Sequence, residues 1–304
     1  MEKVEKIWLD GALVDWDAAN VHVLTHCLHY GLGVFEGIRC YKGSNGDSAI
    51  LKLNEHVDRL FASAKVGFIT IPYTPADICN AIIETLKVNR LAEGYIRPIA
   101  FIGDGEMGLF VKEPKIRVSI ACWPWGAYLG DDGLANGIRA KVSSFTRHHV
   151  NVGMTKAKIS GNYVNSILAK REVVMAGYDE AILLDAQGYV SEASGENIFI
   201  VKNGVIKTTP PTSILEGITR DAIIQIATDN GIAVVEQRFT RDELYMADEC
   251  FFTGTAAEIT PVREVDDRQI GAGKPGPVTQ KLQSVYFDAI KGKIDRYRSW
   301  LTYI

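Results

Sequence analysis

The sequence predicts an α+β fold in which sheets form the cores and helices pack outside them. Three observations carry this. Short apolar runs closed by glycine or asparagine turns recur along the chain, as strands joined by hairpins do. Between them lie stretches with apolar residues every three or four positions and capping residues at their starts, as helices have. A glycine-rich passage over 126–136 reads as an interdomain loop. At 304 residues the chain is long enough for two domains or one large one.

The elements follow in order. Ile7-Trp8-Leu9 and Leu13-Val14 flank Asp10-Gly11, a hairpin signal. Val21-His22-Val23-Leu24 reads as a strand entering a turn. Asn54 is a candidate cap for a helix in which Val57, Leu60, Phe61 and Ala64 follow the helical period. Thr74-Pro75 pairs an N-cap with proline at the first helical position, and Ile78, Ile82 and Leu86 then recur every four residues. Residues 116–120 alternate like a strand. Beyond the loop, Val164, Ile167 and Leu168 start a helix that ends near Gly177. Residues 181–185 and 198–201 read as strands, and Asn203-Gly204 as a hairpin turn. Residues 218–229 read as a helix with Thr219 as candidate N-cap and Gly231 past its end. Thr240 to Glu243 forms a capping box. A last helix starts near Val278 and sets Leu282, Val285 and Ala289 on one face.

Composition removes several function classes. Apolar residues at 47% and charged residues at 23% fit an ordinary soluble globular protein. A net charge of −4 argues against nucleic-acid binding, which favours a basic stripe. The start, Met1 to Lys6, is charged and lacks an apolar signal core, and no window approaches the ~18 apolar residues of a membrane span. Cys27, Cys40, Cys79, Cys122 and Cys250 are odd in number and have no C-x-x-C spacing, which points to reduced thiols in a cytoplasm. His22, His26 and His29 have a spacing that could gather imidazoles on a helix, but no H-E-x-x-H accompanies them, and no metal is expected.

The chemistry concentrates around Lys158. It opens Lys158-Ile159-Ser160-Gly161-Asn162-Tyr163, just ahead of a helical stretch. Downstream come Glu192 and Glu196 in a Val190 to Phe199 segment, then Gly217-Ile218-Thr219-Arg220-Asp221 and Thr253-Gly254-Thr255-Ala256-Ala257-Glu258. A lone lysine is ordinarily solvated surface. A lysine beside a small-residue turn and a tyrosine, followed by a glutamate and two glycine-threonine turns, supplies the parts that hold a pyridine aldehyde bearing a phosphate. The lysine amine forms a Schiff base with the aldehyde and then carries protons. A carboxylate keeps the ring nitrogen protonated, a phenol bonds the ring oxygen, and helix-start N–H groups with a cation take the phosphate.

These residues, with His29-Tyr30-Gly31, Val34-Phe35-Glu36-Gly37-Ile38-Arg39, Glu55-His56-Val57-Asp58-Arg59-Leu60, Tyr95-Ile96-Arg97-Pro98 and Pro124-Trp125-Gly126-Ala127-Tyr128-Leu129-Gly130, resemble the fold-type IV pyridoxal 5′-phosphate enzymes, and within them the branched-chain amino acid aminotransferases. The resemblance runs from about Ile7 to about Tyr286. It implies a two-domain architecture with a small α/β domain over 1–125, a large cofactor-binding domain over 137–304 and the cofactor between them. It implies pyridoxal 5′-phosphate on Lys158, Tyr163 at the ring oxygen and Glu192 at the ring nitrogen. Glu196 is a rival for that last role, since strand alternation would set both glutamates on one face. Arg59, whose alternative is a solvated helix arginine, would hold the phosphate with Ile218, Thr219, Gly254 and Thr255.

The resemblance extends to the substrates. Tyr95 with the Thr255 and Ala256 amides would take the α-carboxylate. Phe35, Tyr30, Trp125, Tyr128, Met107 and Leu109 would line an apolar pocket, each with a place in the core as its alternative. Arg97 and Arg39 are the cations for the distal carboxylate of glutamate. The implied reaction moves the amino group of L-leucine, L-isoleucine or L-valine to 2-oxoglutarate. Within the same fold, a D-amino acid or (R)-amine aminotransferase and an aminodeoxychorismate lyase are the alternatives, and a cofactor-binding protein with a degenerate site is the non-enzymatic one. The implied partners are small amino and 2-oxo acids, and the implied assembly is a homodimer or a trimer of dimers.

Overall fold

A computed structural model describes residues 2–126 and 128–304. The chain divides into two compact units: Met1–Gly126 with Ala157–Asn162 and Ala289–Ile304, and Ala127–Lys156 with Tyr163–Asp288. The Lys158 segment and the C-terminus thus belong with the first part of the chain.

The first unit holds β1 (Lys6–Leu9), β2 (Ala12–Asp15), α1 (His26–Tyr30), β3 (Gly33–Phe35), β4 (Ile38–Lys42), β5 (Ser48–Leu51), α2 (Leu53–Val66), α3 (Pro75–Val88), β6 (Gly94–Ile102), β7 (Ile116–Trp123) and a C-terminal strand, Leu301–Tyr303. Among the described residues these strands form one eight-stranded sheet in the order C-terminal strand-β5-β4-β6-β7-β1-β2, with β3 also on β6. Its pairings are antiparallel. The core joins Ile38, Ile96, Val118 and Ile120 of the sheet to Leu53, Val57, Leu60 and Ala64 of α2 and Ile78, Ala81, Ile82 and Leu86 of α3. Each large member contributes about 1.5–3 kcal/mol by leaving water.

Local signals here hold in part. Asp10 and Gly11 have φ of 49° and 95° and turn the β1–β2 hairpin. Thr74 caps α3 in a reciprocal box with Asp77, and Pro75 opens the helix. The cap of α2, however, is Lys52 and not Asn54. The Lys52 N–H donates to Trp300 O at 2.6 Å, and its Nζ lies 4.8 Å from the Trp300 ring centre, so a distant residue fixes that turn. Residues 21–24 form no strand: Leu24 N–H donates to His22 Nδ1 and Thr25 N–H to His22 O, which bends the chain into α1. His26 and His29 each bond a different carbonyl, of Gly108 and of Val23.

The second unit holds α4 (Gly130–Asn136), β8 (Ile138–Val142), α5 (Val150–Gly153), α6 (Tyr163–Met175), β9 (Glu180–Leu184), β10 (Val190–Ala193), β11 (Asn197–Lys202), β12 (Val205–Thr208), α7 (Ile218–Asp229), β13 (Val234–Glu236), α8 (Arg241–Tyr245), β14 (Glu249–Gly254), β15 (Glu258–Val265), β16 (Arg268–Gln269) and α9 (Pro277–Ile290). Its sheet runs β10-β9-β8-β15-β14-β11-β12-β13, with β16 on β15. The β8–β9, β8–β15 and β12–β13 pairs are parallel.

Several expectations shift in this unit. The passage read as a loop contains α4, closed by Gly137. Gly217 and not Thr219 is the N-cap of α7, which places Thr219 inside the first turn, where it is buried. On α6, Val164, Ile167 and Leu168 are 59%, 53% and 44% exposed, and Ser166, Ala169 and Val173 are the buried residues. On α9, Leu282, Tyr286 and Ala289 are each buried, and Val285 is only half-buried. The Asn203-Gly204 turn between β11 and β12 stands as read.

Candidate functional site

In the first unit, Lys158 is fixed by its own backbone. Its N–H donates to Ser63 Oγ at 3.0 Å, and its carbonyl accepts from Phe35 N–H at 3.1 Å. Ile159 then bridges antiparallel to Val34 of β3, and Gly161 N–H donates to Gly31 O at 3.0 Å. Gly31 has φ 75°, and a Cβ there would sit 3.0 Å from Gly161 Cα, so glycine permits both the conformation and the approach. The segment is thereby laid along β3, and Lys158 Nζ lies 5.2 Å from the Phe35 ring centre.

One face of α2 supports this segment. His56, Arg59 and Ser63 recur at three- and four-residue steps, which stack along one side of a helix. Arg59 is not a solvated arginine. Its Nε donates to Glu36 Oε1 at 2.6 Å and its NH2 to Glu36 Oε2 at 2.9 Å, a bidentate pair. His56 Nδ1 lies 2.7 Å from the same Oε2. Burial by itself would push the Glu36 carboxyl up, but the Arg59 guanidinium and the His56 imidazole outweigh it and hold the group below the usual carboxylate range. Burial pushes the His56 imidazole down, so it stays neutral. An ionised carboxylate only accepts, so His56 Nδ1 carries the proton.

Phe35, Tyr95, Arg97 and Trp125 come together beside this cluster. The Arg97 guanidinium lies 4.8 Å from the Phe35 ring centre and 5.3 Å from that of Tyr95, and its NH2 donates to Tyr95 Oη at 3.3 Å. Trp125 meets Tyr95 edge-on at 4.5 Å. A side chain at Gly37 would collide with the Tyr95 hydroxyl, so glycine gives that hydroxyl its place. Arg39 donates from NH2 to the carbonyls of Trp125 and Gly126 at 2.8 and 3.1 Å, which clamps the end of the strand. Tyr30 and Met107 are partly exposed and Leu109 is 92% exposed, so these three stand apart from the buried group.

The second unit carries the other candidates. Tyr163 is the first residue of α6. Glu192, on β10, is buried and braced: Oε1 pairs with Arg147 Nε at 2.8 Å, and Oε2 accepts from Leu215 N–H at 3.1 Å and Asn197 Nδ2 at 3.4 Å. Glu196 does not share its strand, because β10 ends at Ala193 and Glu196 lies in the turn before β11. Burial and the Glu180 carboxylate push the Glu196 carboxyl up to about 8, against the pull of Lys170. Lys170 and Ser194 bond Glu180 at 2.6 Å each.

Ile218 and Thr219 open α7, where Asp221 is the first amide with a helical bond, to Gly217 O at 2.9 Å. The amides before it have no partner within the helix and lie at the positive end of the dipole. Gly254, Thr255 and Ala256 make the β14–β15 turn, braced by Thr260 Oγ1 donating to Ala257 O at 2.7 Å. Tyr128 lies with its ring centre 5.3 Å from Lys170 Nζ.

Sequence reasoning missed Glu36, His56, Ser63, Arg147 and Asn197. Glu36 and His56 sat inside segments already singled out; their signal was a buried-type position next to an arginine with which they could pair. Arg147 and Ser63 had no local signal.

The family model described as amino-transferase class IV matches residues 33–265. A branched-chain-amino-acid aminotransferase of Pseudomonas aeruginosa is 53% identical over 298 residues, 98% of this chain and 97% of the relative. The crystal structure of the Escherichia coli branched-chain amino acid aminotransferase matches with TM-score 0.96 and 46% identity, covering 98% of this chain and 99% of that one. A branched-chain amino acid aminotransferase from T.th., solved with pyridoxamine 5′-phosphate, matches with TM-score 0.96 and 49% identity over 100% of this chain and 99% of that one. A match across 33–265 is most of the chain, and it takes in β3, α2, Lys158 and the α7 start, so this chain belongs to the class IV aminotransferase family.

Proposed function

We propose that this chain transfers the amino group of L-leucine, L-isoleucine and L-valine to 2-oxoglutarate, giving branched 2-oxo acids and L-glutamate, with pyridoxal 5′-phosphate as cofactor. One observation carries the reading: a lysine held by its own backbone against β3 and α2, in a chain 53% identical over nearly its whole length to a relative bearing that name. The donor set suits such a cofactor. It offers an amine at Lys158, a braced carboxylate at Glu192, and in Thr219 and its neighbours a helix start suited to an anion. Thr253 beside the Gly254-Thr255 turn adds a buried hydroxyl oxygen without a hydrogen-bond partner.

When bound, the cofactor supplies the electron sink that makes the substrate Cα acidic. The chain's residues do the rest. Lys158 would attach the cofactor, and its amine, when free, would take and return the proton at the substrate Cα. Tyr163 bonds the ring oxygen, and Glu192 holds the proton on the ring nitrogen. Arg59, with Ile218, Thr219, Gly254 and Thr255, holds the phosphate. Tyr95 and the Thr255 and Ala256 amides orient the α-carboxylate. Phe35 and Trp125, both half-buried, form the inner wall of the side-chain pocket, and Tyr30, Tyr128, Met107 and Leu109 would complete its lining from exposed positions. Arg97 receives the distal carboxylate of glutamate, with Arg39 keeping the Trp125 backbone in place.

The same proposal includes a homodimer, or a trimer of dimers. Its support is exposed apolar surface: Val164, Ile167 and Leu168 share one side of α6, and Leu28, Leu109 and Phe110 stand out from the first unit. A cytoplasmic setting rests on five free cysteines, which suit a reducing compartment. Among the described residues no helix is long and apolar enough to cross a membrane.

The test is a panel of amino donors with 2-oxoglutarate, with rates measured over both substrate concentrations. L-branched donors should lead the panel and give parallel double-reciprocal lines, because both substrates use one site in turn. Intersecting lines, or preference for D-alanine or aminodeoxychorismate, overturn the reading.

A further inference from the structure

The Glu36–Arg59 pair poses a question that anion binding alone does not answer. If Arg59 holds a phosphate, a carboxylate beside it opposes the ligand's charge. Glu36 is nevertheless 0% exposed and takes the guanidinium side-on through both oxygens, at 2.6 and 2.9 Å. A buried carboxylate also carries a desolvation penalty. A site that required only positive charge would have no use for it.

What Glu36 adds is direction. An arginine is a long side chain with many rotamers and a flat, forked head. Two bonds in the guanidinium plane fix both the position and the tilt of that head. Glu36 is itself fixed, because its Oε2 accepts from His56 Nδ1 at 2.7 Å and its backbone N–H donates to Pro98 O at 2.9 Å. His56 and Arg59 come from the same helix, so α2 sets both the arginine and the histidine that steadies its partner. Groups that orient a ligand-binding residue commonly tune affinity without touching the ligand.

We infer that Glu36 is a positioning residue for Arg59, fixing its guanidinium for the cofactor's phosphate, with His56 locking Glu36 in turn. The inference rests on the reading of Arg59 as the phosphate-holding cation. It separates Glu36 from a residue that merely stabilises the fold, because its effect should be confined to ligands that bear the phosphate.

The experiment titrates the full-length enzyme, stripped of cofactor, with pyridoxal 5′-phosphate and in parallel with pyridoxal, which lacks the phosphate. Glu36→Gln should weaken pyridoxal 5′-phosphate binding about tenfold, the lower end of the range for orienting partners, and leave pyridoxal binding within about twofold. In an Arg59→Ala background the added Glu36→Gln change should have no further effect on pyridoxal 5′-phosphate, because the two act as one unit. That double variant also removes both buried charges together, which keeps the test open should Glu36→Gln alone fail to fold. Equal weakening of both ligands, unchanged or tighter pyridoxal 5′-phosphate binding in Glu36→Gln, or an additional loss in the double variant overturns the inference. Arg59→Ala leaving the ratio of the two affinities unchanged instead overturns the phosphate role of Arg59, a distinct result.

Discussion

Two buried glutamates, one in each unit, reach opposite charge states. Glu36 sits between Arg59 and His56 and stays ionised, because those partners outweigh its burial. Glu196 sits near Glu180 and Glu192, and burial beside like charge pushes it up to about 8. Exposure does not separate them, at 0% and 6%. What separates them is the charge around them: Arg59 and His56 favour the ionised form of Glu36, whereas burial and Glu180 outweigh Lys170 at Glu196. Glu192, only four positions from Glu196, has contacts like those of Glu36: Arg147 is its partner, with backbone and amide donors besides.

The largest test of this contrast falls on the lysine that the first unit holds. Lys158→Ala should lose at least about a thousandfold in turnover, within the range for removing a positioned acid–base group. Borohydride reduction followed by peptide mapping should place a pyridoxyl group on Lys158 of the parent and on no lysine of the variant; a label elsewhere refutes the assignment.

Next is the acid that the second unit pairs with an arginine. Glu192→Gln should still retain cofactor but lose roughly a hundredfold in turnover, as preorganised electrostatic groups do. Glu196→Gln, replacing a group that is already neutral, should cost far less. If Glu196→Gln shows the larger defect, the two glutamates have been assigned the wrong way round.

A smaller effect sharpens the comparison through pH. Glu196 in the folded chain keeps its proton until about pH 8, but in the unfolded chain loses it near 4.5. Between those values the unfolded state binds fewer protons, so this group's contribution to stability is complete below about 4.5 and is lost as pH rises through about 8. The denaturation midpoint of the parent should therefore decline between pH 5 and pH 8.5 more steeply than that of Glu196→Gln; equal slopes would rule out the raised carboxyl. Glu36 has the reverse sign, and its stabilisation fades only as pH falls into the acid range.

The smallest effect concerns a purely local device. Thr74→Ala removes the α3 cap and should cost about 1 kcal/mol in denaturant unfolding. Turnover should not change, since α3 carries none of the proposed site residues; a large fall in turnover would link this helix to the site.

How much was legible follows the range of each interaction. The Asp10-Gly11 and Asn203-Gly204 turns, the Thr74-Pro75 start and the strand over 116–120 were readable, because each depends on backbone preferences and bonds within a few residues. The Lys158 to Tyr163 motif was readable as chemistry, but not that the unit division falls between Asn162 and Tyr163. Asn54 and Thr219 looked like caps because their side chains suit the role, yet Lys52 and Gly217 occupy those positions. Val164, Ile167 and Leu168 marked a helix by their spacing and yet are exposed, because period alone does not tell which side of a helix finds a partner.

The sequence by itself determined the fold class, the main hairpins and helices and the kind of chemistry, since these are written in residue types and short spacings. Tertiary structure alone decided that Arg59 meets Glu36, 23 residues away, that Arg147 meets Glu192, and that Glu196 is buried beside Glu180, which pushes its carboxyl up. The physical reason is that ionisation and side-chain direction depend on distance and burial among groups far apart in the chain, and only folding brings those groups together.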